Sequence, residues 1–417
     1  MKSNETRVPH GSGLLSSRKE FLSRRKSGST EFLINLAIAV LSFSLQPALT
    51  AQLTILHNFG DGTVRNDGAK PEAGLIQAPS GYFFGVTDTL AVKTTPVGGT
   101  VFRMAPSGKL EVIHRFGPTS WLWSTQPLLH YHNKLIGTTN QGPAGKPSGS
   151  QGIGSVYAID RSSGSWHRDF WCSFVGANIG YYPSGGMILG SDGFLYGMTD
   201  AGGTGLYGTI YKLDPKSKQV SAIHNFGGGD GNPGTSLLQG TDNNFYGTTS
   251  VEAGTLAARI FMATPAGQIT FLSEFTDSIV PGPLMQAADG NFYGVLQSAD
   301  FTSAGAIFKM AADHTVTIVH SFSYTDGSIP HGTLVQGPNG NLYGVTQEGG
   351  TANNGVIFEI STDGTSYQVI HNFGDGSVMN DGIWPRGTLV VGQDQNLYGT
   401  TLGGGSAGWG TVFRISP

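Results

Sequence analysis

A short segment ending in an aromatic residue and a glycine returns seven times at nearly constant spacing. This periodicity limits the fold more than any other feature of the chain. One copy reads Gly190-Ser191-Asp192-Gly193-Phe194-Leu195-Tyr196-Gly197, and others read Asn291-Phe292-Tyr293-Gly294, Asn341-Leu342-Tyr343-Gly344 and Asn396-Leu397-Tyr398-Gly399. Weaker copies end at Gly85, Gly137 and Gly247, so the glycines lie 52, 60, 50, 47, 50 and 55 residues apart. Three more runs accompany each copy, such as Val356-Ile357-Phe358-Glu359-Ile360, Gln368-Val369-Ile370-His371-Asn372-Phe373 and Gly387-Thr388-Leu389-Val390-Val391. All are short, β-branched or aromatic, and bounded by Gly, Pro, Asn or Asp, which marks them as strands. Four strands in about 50 residues match one blade of a β-propeller.

The chain ends supply an independent argument. The repeat region opens with a third-run copy, Leu53-Thr54-Ile55-Leu56-His57-Asn58-Phe59, and closes just after a second-run copy, Thr411-Val412-Phe413-Arg414-Ile415. The last repeat therefore lacks an outer strand, and the N-terminal end has one to spare. Pairing the two closes the ring and removes an open sheet edge, which would otherwise template aggregation. The expected fold is all-β: a single seven-bladed propeller over residues 52–417, closed by an N-terminal strand in the last blade.

The pieces Asn-Leu-Tyr-Gly-Thr-Thr, Gly-Thr-Val-Phe and His-Asn-Phe-Gly resemble the GloVer tandem repeat of exported bacterial "choice-of-anchor" proteins. The resemblance covers nearly all of residues 52–417. It implies an exported repeat protein and brings no established activity or catalytic residues. Members of that family often carry a C-terminal anchoring segment, and the absence of one before Pro417 favours a released or periplasmic protein.

Residues 1–51 have a different character. Seven Lys or Arg against three acids end in Arg24-Arg25-Lys26, followed by an apolar run over residues 32–45 and the small-residue stretch Pro47-Ala48-Leu49-Thr50-Ala51. That order describes a secretory signal with a long basic n-region. A membrane span would need roughly 20 apolar residues. With 1–51 removed, 17 basic and 25 acidic side chains leave a net charge of −8, which offers nucleic acid no electrostatic footprint. The 64 glycines follow no triplet period, excluding collagen, and 10% aromatics exclude a disordered chain. The single cysteine, Cys172, cannot form an internal disulfide and reads as an inert, buried thiol.

Loop lengths separate framework from candidate function. Naming the strands a to d from the Leu389 type through the Tyr398, Phe413 and Phe373 types, the a–b spacing is 10 in five repeats and the c–d spacing is 14 or 15 in all but one. The b–c spacing reaches 17 and 20 in the first two repeats, and the d–a segment varies most, the distance from the strand-d phenylalanine to the next strand-b glycine ranging from 19 to 26. Alternate connections of a meander lie at one end, so the variable d–a and b–c loops share a face, which is the expected binding face. Trp121, Trp123, Trp384, Trp409, Tyr181, Tyr182, Tyr207 and Tyr324 fall on those connections. With Arg65, Arg386 and Glu348 they supply the stacking surfaces and polar groups that a carbohydrate site uses.

Five histidines, His57, His114, His224, His320 and His371, recur at one place in different blades, too dispersed for a metal and suited to bonding a neighbouring loop. Asp61 and Asp67 recur as Asp375 and Asp381. These oxygens are the candidates for calcium, but the spacing is not that of an EF-hand, Asp-Gly pairs make turns without an ion, and no cofactor is expected. No His-Glu-x-x-His, Gly-x-Ser-x-Gly or phosphate-binding glycine loop occurs. The expected function is a monomeric, exported, non-catalytic module that recognises a neutral extracellular glycan or a surface protein. The alternative is a polysaccharide hydrolase or lyase, which would show titratable groups converging at the channel mouth.

Overall fold

A computed structural model of the chain describes residues 52–89, 98–117, 126–140, 154–162, 164–174, 178–250, 257–275, 279–298 and 303–417. The expected signal segment, together with Trp121 and Trp123, lies outside the described residues.

All regular structure among the described residues is β, in seven antiparallel sheets that follow the repeats in order around a ring. Each sheet has strands a to d from the centre outward, and strand a is split into two pieces in blades 4, 5 and 7. Blade 7 consists of Ile383–Pro385 and Val390–Val391, Leu397–Gly403, Thr411–Ile415 and, as its outermost strand, Leu53–Asn58. Leu53 pairs with Ile415 and Asn58 with Thr411, so the N-terminal strand closes the ring as its sequence position requires.

The recurring glycine is explained by what lies over it. A Cβ on Gly344 would sit 2.5 Å from Phe358 Cζ, and on Gly399 2.4 Å from Phe413 Cζ; Gly85, Gly137, Gly197, Gly247 and Gly294 face the same strand-c ring. The preceding tyrosine is buried, with its hydroxyl returned to the a–b turn. Tyr196, Tyr246, Tyr293 and Tyr398 donate to Asp192, Asp242, Asp289 and Asp394 at 2.7, 2.9, 2.8 and 2.9 Å. Blade 6 has Asn339 at that turn position, and Tyr343 donates instead to Glu359 at 2.8 Å. Each bond satisfies a polar tip that burial would otherwise leave costly. Between blades, ring contacts such as Phe83 with Tyr398 (4.1 Å) and Tyr196 with Phe245 (4.3 Å) continue the apolar packing.

The fixed-length turns are locked from blade to blade. Gln77, Gln239, Gln286 and Gln336 accept from the turn amides of Gln393, Ser191, Thr241 and Ala288 at 2.8 to 3.0 Å. A lengthened a–b loop would move these amides, which accounts for the constant spacing.

Strand a begins earlier than the sequence pattern suggests. Trp384 lies within Ile383–Pro385, and Tyr181 and Tyr182 open the strand Tyr181–Leu189, so these rings stand on the innermost strand rather than in a loop. The prolines Pro183, Pro233, Pro281, Pro330 and Pro385 disguise it. Strand a pairs only with strand b, leaving its other edge to the central channel, where a missing N–H removes no ladder bond. Just past each proline the pairing breaks, by a register shift in blades 3 and 6 and by complete interruption in blades 4, 5 and 7.

Candidate ligand site at the channel mouth

Segments from all seven blades, including the breaks in the inner strands of blades 3 to 7, line a central cavity of about 340 Å³. Its rim lies on the face of the variable loops. The residue before the proline donates its amide to the b–c loop of the preceding blade: Lys70 to Trp409 O (3.0 Å), Ile329 to Ala304 O (3.0 Å) and Trp384 to Asn354 O (2.9 Å). Making these bonds puts Lys70, Ile329 and Trp384 at φ of 56°, 54° and 59°, a left-handed conformation costly for a branched residue such as Ile329. Tyr182 holds φ 61° at the equivalent place in blade 3.

The residue after the proline faces the cavity. It is Glu72 in blade 1, His331 in blade 6 and Arg386 in blade 7. The residue three past the strand-b glycine supports it from the neighbouring blade. Arg386 Nε donates to Gln347 Oε1 at 2.8 Å, and Gln297 Nε2 donates to Pro330 O at 2.6 Å. In blade 7 that supporting position is Leu402, which has no polar group to offer Glu72. Glu72 is met by Arg386 Nη1 at 3.5 Å, longer than a tight charge-assisted bond. Asp88 and Asn140 hold the supporting position in blades 1 and 2, and each has a buried side-chain oxygen without a hydrogen-bond partner.

Burial governs the electrostatics. It raises the Glu72 carboxyl despite the opposing Arg386, with Asp88 adding to the rise. Burial likewise raises Asp88, against the pull of Lys70. Burial, aided by Arg386, lowers His331 to about 4, so its imidazole is neutral at pH 7. His114 is lowered to about 4 by burial and by Arg168. A folded pKa below the unfolded value near 6.5 means that the unfolded chain takes up protons first. Stability should therefore be complete above pH 6.5 and decline as pH falls toward 4. The raised carboxyls act oppositely at the acid end, so the comparison needed is with a His114→Gln/His331→Gln variant. Its thermal melting temperature should fall less over that window than that of the unaltered protein.

The other sequence candidates are dispersed. Trp384 is 40% exposed on the rim, while Tyr181 and Tyr182 meet edge to face at 5.2 Å at the start of strand a in blade 3. Trp409 is half-buried against the core between blades 7 and 1. Glu348 is half-buried at the end of strand b, its carbonyl accepting from Thr346 Oγ1 at 2.8 Å. Arg65 is exposed near the perimeter, where its carbonyl accepts from Arg115 at 2.7 Å. Asp61 and Asp375 accept from the turn amides of Thr63 and Ser377, both at 2.8 Å. Asp67 and Asp381 are buried against His57 and His371, each pair at 2.8 Å, and accept from the Gly60 and Gly374 amides. Among the described residues no group of three or more His, Cys, Asp or Glu is placed to hold a metal. Cys172 is half-buried, and burial pushes its thiol up to about 11, as an inert cysteine requires.

Of the sequence candidates among the described residues, only Arg386 lines the cavity. Glu72, His331, Gln297 and Gln347 were missed. The signal that finds them is positional: the residue after the strand-a proline and the residue three past the strand-b glycine.

The ring of sheets defines the class of protein, a seven-bladed β-propeller. Residues 280–417, spanning blades 5 to 7, match the model of the Gloeobacter/Verrucomicrobia repeat, and the seven-bladed architecture fits a propeller of such repeats. No curated protein sequence matches it. Among solved structures it is similar to a catalytically inactive virginiamycin B lyase from Staphylococcus aureus with quinupristin. The TM-score is 0.58 at 14% identity, covering 88% of this chain and 99% of that one. The extracellular domain of a hybrid two-component system from B. thetaiotaomicron aligns with a TM-score of 0.57 at 12% identity, over 87% of this chain and 39% of that one. The periplasmic gluconolactonase of Pseudomonas aeruginosa aligns with a TM-score of 0.50 at 17% identity, over 71% and 84%. Identities this low establish a shared fold and leave function open. Among the described residues no helix is long and apolar enough to cross a membrane.

Proposed function

We propose that the chain is exported and that its propeller binds a neutral extracellular carbohydrate at the channel mouth. The observation that carries this reading is the charge balance of the polar lining. Glu72 stands against Arg386, and His331 is uncharged at neutral pH. An anionic ligand would meet the Glu72 carboxyl and a cation would meet the guanidinium. A polyhydroxylated ligand can donate to the former and accept from the latter. Trp384 adds an exposed flat ring at the entrance, and pockets of this kind combine apolar walls with a few orienting polar groups. The basic-then-apolar N-terminal segment supports export.

A glycan array probed with the protein tests the proposal. Binding should be lost in Trp384→Ala with the fold retained. Trp409 is a poorer choice because its ring packs on the core. An array without hits, together with a protein partner recovered by pull-down, would sink the carbohydrate reading.

One observation favours a second reading, an enzyme that cleaves the glycan. A carboxyl raised by burial, a neutral imidazole and an arginine meet in one cavity, as acid–base chemistry requires. Chromatography of the same glycan after incubation distinguishes the two, because shortened products that vanish in Glu72→Gln would make the protein an enzyme.

A further inference from the structure

The cavity is strongly one-sided. Its titratable side chains occupy blades 6, 7 and 1 as His331, Arg386 and Glu72, and across the ring blades 3 to 5 present Gly185, Gly234 and Gly282. These glycines are not equivalent. Gly185 has φ 65°, and a Cβ there would fall 2.5 Å from Thr235 O, so backbone geometry alone requires glycine. Gly234 has no left-handed φ, and a Cβ built on it meets no atom within 4 Å. Neither conformation nor packing demands a glycine there. Its missing side chain leaves the cavity wall open on the far side of the ring from Arg386.

Size and polarity then restrict the occupant. About 340 Å³ is near the lower end of the roughly 300–1,000 Å³ typical of small-molecule sites. All seven inner strands enclose this space, so a polymer lying across the face would not fill it, whereas the end of a chain would. The 3.5 Å separation of Glu72 from Arg386 lets one hydroxyl donate to the carboxylate while accepting from the guanidinium. Arg386 Nε is held by Gln347, which fixes the plane in which the remaining donors are offered.

We propose that the saccharide enters the channel end-on, so that one or two terminal sugar units lie between the Glu72–Arg386 pair and the open wall at Gly234. This inference rests on the carbohydrate reading above. The shared chemistry is a terminal neutral sugar unit, supplied either by a free short saccharide or by the end of a longer chain.

The test uses titration calorimetry with neutral gluco-, xylo-, manno- and galacto-oligosaccharides of one to six units, on the full chain and on Gly234→Ala, Gly234→Leu and Gly234→Trp. For the series that binds, affinity should level off by the second unit, with three to six units changing Kd by less than about 3-fold. Affinity should fall with side-chain size, least in Gly234→Ala, further in Gly234→Leu and at least 100-fold in Gly234→Trp, with an unchanged melting temperature. Free disaccharide equal to the hexasaccharide would identify short saccharides as sufficient. Hexasaccharide binding that requires one particular free end would identify the chain terminus as the source. Affinity that climbs with every unit to six, or full binding by Gly234→Trp, would overturn end-on entry while leaving carbohydrate recognition standing. Absence of binding by every series would overturn both. Should Gly234→Trp fail to fold, the Ala and Leu variants decide alone, and equal affinity in both would contradict the proposal.

Discussion

Deleting residues 52–59 should make the propeller aggregate. The deletion removes the outermost strand of blade 7 and exposes the full edge of Thr411–Ile415. It also removes Leu53 and Phe59, which are 5% and 0% exposed. Emptying two such core positions costs on the order of 5 kcal/mol or more, comparable with the entire stability of many proteins. The unpaired edge then presents a template for association. Size-exclusion chromatography of a chain beginning at residue 60, beside one beginning at residue 52, should show high-mass species for the shorter chain. A truncated chain that elutes as monomer and melts like the parent would mean that the ring does not depend on its closing strand.

Gly344→Val should be the most damaging of the single glycine changes considered. The new Cβ would lie 2.5 Å from Phe358 Cζ and 2.7 Å from Leu334 Cδ2, and both side chains are buried, Phe358 fully. Neither can retreat without displacing the interface between blades, so the expected loss is about 3 kcal/mol, the upper end of the overpacking range. Gly117→Ala serves as the control, because no atom lies within 4 Å of its added Cβ, and it should change stability by no more than about 0.5 kcal/mol. Urea unfolding measures both. Equal midpoints would show that the recurring glycine is not held by the strand-c ring above it.

The fold was legible because its determinants are local and repeated. A glycine under an aromatic ring, a tyrosine returned to an aspartate turn and a fixed turn length each leave a mark at the same place in every blade. The closing strand was legible because pairing arithmetic at the two chain ends leaves one solution. The site was much less legible. Glu72, His331 and Arg386 occupy one position in blades 1, 6 and 7, yet have different chemistry and therefore form no motif. Their meeting depends on the ring, which brings residue 72 beside residue 386. The inner strand was misjudged at its start because five prolines read as loop, while the unpaired channel edge makes them tolerable. The loop aromatics drew attention by type. Whether such a ring is exposed, like Trp384, or packed, like Trp409, depends on neighbours from another blade.

The central functional claim is that the inner-strand mouth, rather than the outer turns of the d–a loops, receives the ligand. Amide hydrogen exchange, with and without a saturating neutral oligosaccharide, tests it most directly. Protection should appear at residues 70–74 and 384–388, the inner segments that carry Glu72 and Arg386, with no change at 60–66 and 374–380. Protection confined to those outer turns, or none anywhere with a saccharide that binds, would contradict the account.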